Sequence, residues 1–73
     1  MLEVLHYCSE YQEGVSATMV QQKFNHTIAK AELQLSKLQD AGLIDYGSLV
    51  TGQDIQYVPT KNGLELLDEN GLI

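Results

Sequence analysis

The chain has 73 residues, 44% of them apolar, a formal net charge of −6 and a single cysteine. That length makes one domain, which buries only roughly 60% of the surface its unfolded chain exposes. No apolar run reaches the ~18 residues of a membrane span. The start, Met1 to Leu5, lacks the basic region of a secretory signal. Cys8 has no partner for an internal disulfide. Composition therefore predicts an intracellular, cytoplasmic domain with no membrane partner.

Residues 1–12 read as a first helix. Met1, Val4, Leu5, Cys8 and Tyr11 recur at helical spacing, Glu3 and Glu10 fall between them, and Gly14 ends the segment. Ser16 is placed to cap a short second helix that runs to about Phe24, with Met19, Val20 and Phe24 on its buried side. Asn25-His26 supplies a tight turn. Thr27 caps a third helix from Ile28 to about Ala41, whose apolar stripe is Ile28, Ala31, Leu35 and Leu38. Gly42 sits where a left-handed helix stop belongs.

A hairpin is predicted next. Leu43 to Tyr46 and Ile55 to Val58 are its strands. Gly47-Ser48 and Thr51 to Asp54 provide turn chemistry, and Leu49 and Val50 extend the first strand or pack under the loop. Pro59 ends the second strand because it has no N–H to donate. Thr60 caps a last helix with Leu64, Leu66 and Leu67 as apolar positions, stopped by Gly71. The predicted fold is α+β and mainly α: a winged helix-turn-helix of three helices, a two-stranded β-wing and a C-terminal helix, as a single domain over residues 1–73.

The residues that carry this pattern resemble known families. Phe24 to Ile44 resembles the helix-turn-helix of winged-helix regulators, and Leu38-Gln39-Asp40-Ala41-Gly42-Leu43-Ile44 is similar to their Leu-x-x-x-Gly-Leu-Ile helix exit. Tyr57 to Leu67 resembles the Tyr-x-x-Thr-x-x-Gly-x-x-Leu-Leu stretch of MarR- and PadR-like regulators. Over residues 15–44 the chain also resembles the DNA-orienting γ domain of FtsK-type translocases. That family carries several arginines at the start of the third helix. Here only Lys30 keeps a positive charge in that stretch, and Leu33 stands where an arginine would. The resemblances imply the scaffold and, for the regulators, DNA binding by the third helix.

Charge is unevenly spread. Val15 to Gln39 holds Lys23, Lys30 and Lys37 against Glu32, a net of +2, while the remainder carries −8. In a helix-turn-helix the third helix enters the major groove of double-stranded DNA. The predicted DNA-binding residues are Thr27, Lys30, Gln34 and Lys37 on that helix, with Gln21, Gln22 and Lys23 meeting phosphates from the second. The predicted wing from Gly47 to Gln56 has no Lys or Arg, and Asp45 and Asp54 stand beside and within it. Phosphate binding with so few cations would be weak and salt-sensitive, and a homodimer would double the count. Leu33 falls on the outer side of the third helix. It is an exposed leucine, a contact for a thymine methyl or part of a protein interface. Leu72-Ile73 folds back on the last helix or forms an edge for a second subunit.

His6, Cys8 and His26 do not make a metal site, since His6 and Cys8 do not share a helix face. No phosphate loop, catalytic carboxylate pair or nucleophile motif is present, so neither an enzyme nor a cofactor is predicted. Two functions follow: a DNA-binding transcriptional regulator, or an acidic protein-interaction module (an adaptor, complex subunit or inhibitor) that does not bind DNA.

Overall fold

The computed structural model describes residues 2–11, 13–47 and 55–73. The predicted turn residues Ser48 and Thr51 to Asp54, along with Leu49, Val50 and Met1, lie outside them. Helix α1, Leu2–Ser9, buries Val4, Leu5 and Cys8. It is shorter than the apolar spacing predicts. The Ser9 hydroxyl donates back to the His6 carbonyl at 2.6 Å, and Tyr11 stands beyond the helix, 41% exposed.

The chain then makes a short strand that periodicity did not signal, β1, Val15–Ser16. Two residues are too few to show an alternation. Its pairing partner is distant in sequence. Val15 is fully buried. The hydroxyl of Ser16 accepts from the Met19 N–H at 3.3 Å, and this starts α2, Ala17–Phe24. Asn25 adopts a left-handed conformation, φ 55°. Thr27 caps α3, Ile28–Asp40, accepting from the Lys30 N–H at 3.2 Å.

Helix α3 ends as its sequence predicts. Gly42 takes φ +76°, and the Leu43 N–H reaches back to the Leu38 carbonyl at 2.9 Å. The chain leaves through β2, Ile44–Tyr46, and returns through β3, Gln56–Pro59. The three strands form an antiparallel sheet in the order β1-β3-β2. Tyr57 lies opposite both Val15 and Tyr46. Pro59 is the last residue of β3, opposite Ile44.

Helix α4, Lys61–Glu69, is clamped to the exit of α3. The Thr60 N–H donates to the Leu43 carbonyl at 3.0 Å. The Thr60 hydroxyl donates to the Gly42 carbonyl at 2.6 Å and accepts from the Gly63 N–H at 3.2 Å. Gly63 is buried, with its Cα face against the Leu43 carbonyl. The α3 exit, Gly42 to Leu43, and the start of α4, Thr60 to Gly63, thus interlock. Gly63 and Leu67, four apart, occupy the buried side of α4. Leu64 is turned a further 100° around the helix and is 40% exposed, so it does not join the core as expected.

The core draws on α1, β1, α2, α3, β2 and α4: Val4, Leu5, Cys8, Val15, Val20, Ala31, Leu35, Leu38, Ile44 and Leu67. Ile28, predicted for the α3 stripe, is 41% exposed. At the first position of its helix its side chain leans toward the N-terminal end, past the layer filled by Ala31, Leu35 and Leu38. The described residues thus form a mixed α+β fold, mainly helical, with four helices and a three-stranded sheet among them. No described helix is long and apolar enough to cross a membrane.

Burial sets a pH dependence. Loss of water around the Cys8 thiol pushes its pKa up to about 11. Tyr7 rises to about 12, first through desolvation and then through its hydrogen bond and charge interaction with Tyr11. In both groups the folded state favours the neutral form. Their contribution to stability is whole below the ordinary thiol and phenol values and is lost as pH climbs through the raised ones. Urea midpoints should therefore fall between pH 9 and about 11. Cys8→Ala should flatten the lower part of that fall. An unchanged midpoint across the window would contradict the burial argument.

Candidate nucleic-acid interface

A helix presents DNA with whatever its packing leaves uncovered. Packing of Ala31, Leu35 and Leu38 turns the opposite side of α3 outward. Ala29, Lys30, Leu33, Ser36, Lys37 and Asp40 are all exposed. Lys30 and Lys37, seven residues apart, share one flank of this ridge, about 10 Å apart along the axis. Thr27 is exposed beside them, its hydroxyl engaged as the helix cap.

The other predicted contacts are placed less favourably. Gln34 is half-buried, and its amide oxygen is turned into the protein without a hydrogen-bond partner. The same is true of His26 Nδ1 in the turn before α3. Lys23 is exposed at the end of α2, but its Nζ stands 6.0 Å from the centroid of the Tyr7 ring, on the α1 side of the molecule. Gln22 is exposed and Gln21 half-buried. The Gln21 carbonyl accepts from both Asn25 and His26, which closes the turn. Thr27, Lys30, Leu33 and Lys37 are thus all exposed along α3, whereas the Gln34 amide oxygen is turned inward between the two lysines and Lys23 stands beside Tyr7.

The opposite flank of α3 has a different chemistry. Ile28, Glu32 and Ser36, at successive +4 steps, form one wall of an open groove. Ala17 and Thr18 of α2 and Ile55 and Tyr57 on the sheet side complete it. Ile55 is 43% exposed. Tyr46, half exposed, packs its ring 5.6 Å from that of Tyr57. The Tyr57 phenol is held above its ordinary pKa by burial first, then by Tyr46 and the Glu32 carboxylate. The +4 spacing of Ile28, Glu32 and Ser36 was visible in the sequence. Their meeting with Ile55 and Tyr57 depends on the strand pairing.

Leu33 is 54% exposed. The Leu72 N–H bonds the Leu67 carbonyl at 2.9 Å, so the end of α4 does fold back. The Leu72 and Ile73 side chains remain 37% and 60% exposed. Cys8 is buried and His6 faces Glu10 at 3.8 Å. Among the described residues no three His, Cys, Asp or Glu side chains cluster as metal ligands would. A scan against protein-family models finds no match, and a search of curated proteins finds none.

Proposed function

We propose that this chain is a winged helix-turn-helix module that binds double-stranded DNA through α3, as a cytoplasmic transcriptional regulator. The observation that carries the reading is the outward ridge of α3, exposed along its length with Lys30 and Lys37 on one flank. The sequence of α2, a left-handed turn at Asn25 and α3, followed by the antiparallel β2–β3 pair, supports the same reading. On this reading the small or apolar residues Ala29, Leu33 and Ser36 enter the major groove, where a leucine suits a thymine methyl. Lys30 and Lys37 hold phosphates, and Thr27 lies at the start of the helix.

Two phosphate contacts per copy give a shallow salt dependence, with log K falling by about 1.8 per decade of salt. Lys30→Ala should reduce that slope by about 1 and weaken binding to all sequences alike. Leu33→Ala should instead alter preference among sequences. Amide shifts of Thr27, Lys30, Leu33 and Lys37 in a titration with duplex DNA at low salt are the direct test. A spectrum in which none of them moves overturns the proposal.

A second reading is an acidic protein-interaction module, and the groove of Ile28, Ile55 and Tyr57 beside Glu32 favours it. An apolar floor with a carboxylate on its wall suits a basic, apolar segment of another protein and repels phosphate. Retention on heparin that is lost on adding salt separates the first reading from the second, which predicts no retention.

A further inference from the structure

Where α1 meets the end of α2 runs a ladder of four rings, with Tyr7 and Phe24 resting on the edge of the core. Tyr11 meets Tyr7 edge-on at 5.0 Å, Tyr7 meets Phe24 edge-on at 5.7 Å, and Phe24 stacks on His26 at 5.8 Å. Beside it lies an open groove floored by Leu2, Tyr7, Phe24 and Leu72. Its α1 wall carries Glu3, His6 and Glu10, and its α2 wall carries Lys23. None of the exposed α3 ridge residues belongs to it.

The chemistry of this surface narrows what covers it. Phosphate is disfavoured, because among the described residues that line the groove the carboxylates of Glu3 and Glu10 outnumber the Lys23 ammonium. The same acids disfavour an anionic membrane surface. Aromatic side chains at the centre with charges at the rim are the composition of a protein interface. The two walls also carry opposite charges. Lys23 forms no ion pair within the chain among the described residues. A two-fold axis running along the groove would bring each Lys23 over the acidic wall of the other copy, and a patch that meets itself in this way is self-complementary.

We propose that this groove is the interface of a homodimer, with each copy setting Phe24 and Leu72 against the other's aromatic floor. A stable dimer buries on the order of 800 Å² per partner, against a total of 4731 Å² for this chain. That area takes in the outer face of α1, the ring ladder and the exposed Leu72-Ile73 segment. The arrangement leaves both α3 ridges open and does not depend on DNA binding.

Sedimentation velocity over a wide concentration range tests it on the full chain. The wild type should pass from one chain to two as concentration rises. Lys23→Glu and Glu10→Lys should each weaken the dimer about tenfold or more, since each places like charges across the axis twice. The double variant K23E/E10K should restore it. Leu72→Asp, on an exposed residue outside any helix, should weaken it while circular dichroism stays native. A wild type that remains monomeric throughout overturns the proposal. So does a dimer that ignores Lys23→Glu, or one that the double variant fails to restore. Lys30→Ala, which tests the DNA reading, should leave the dimer unchanged, so the two proposals fail separately.

Discussion

Gly63→Ala is expected to destabilise the fold by about 2 kcal/mol or more. Thermal melting should fall by about 10 °C or more, given roughly 4–8 °C per kcal/mol for a domain of this size. Helix propensity alone argues the other way, because alanine inside a helix is favoured over glycine by up to about 1 kcal/mol. The close approach of α4 to the α3 exit decides the sign. A methyl on Gly63 would fall inside the van der Waals envelope of the Leu43 carbonyl oxygen, and would also lie 3.1 Å from the Leu43 carbonyl carbon and 3.2 Å from Leu5 Cδ1. The first two are backbone atoms and have no rotamer to change. Relief requires α4 to move away, which breaks the Thr60 bonds to Gly42 and Leu43. Truncating Leu5 should therefore not rescue the variant. A melting temperature equal to or above that of the wild type would show that α4 is not seated this closely.

Leu35→Ala is expected to cost about 2–5 kcal/mol, the range for a buried leucine whose cavity cannot fully collapse. Leu35 is 1% exposed at the middle of α3, within a core to which α1, β1, α2, β2 and α4 also contribute. A chain of 73 residues has a total stability of roughly 4–11 kcal/mol, at about 0.05–0.15 per residue. A loss at the upper end of that cost would unfold the chain at room temperature if its stability lies at the lower end of this range. Leu33→Ala is the matched control. It removes the same atoms from the same helix at a site 54% exposed, and its effect should stay within about 0.5 kcal/mol. Urea denaturation of the two variants measures the contrast directly. Equal losses would mean that Leu33 is covered in the folded protein, and would shift attention from DNA to a protein contact on the ridge.

The two leucines illustrate what local sequence carries. Leu35 and Leu38 continue a +3/+4 stripe with Ala31, and Leu33 falls outside it, so the inner and outer sides of α3 follow from spacing alone. The helix starts at Ser16, Thr27 and Thr60 were equally legible, because a hydroxyl that accepts an orphan N–H acts over three residues. So was the stop at Gly42. The charge split between the lysine-bearing segment and the acidic remainder is a property of composition and needed no fold.

Other features rest on contacts between residues distant in the chain. Strand β1 exists because Val15 and Ser16 meet Tyr57 and Gln56, forty residues away. Ile28 left its predicted place in the core because the first turn of α3 overhangs the packed layer. Gly63 took a buried position that a leucine count would have given to Leu64. Lys23 and Gln34 have the residue types of a DNA face, but one lies beside Tyr7 and the other turns its amide oxygen inward. Spacing along a helix determines which residues share a side. Only the packing of that helix against the others decides which side meets the core, a neighbouring wall or the solvent.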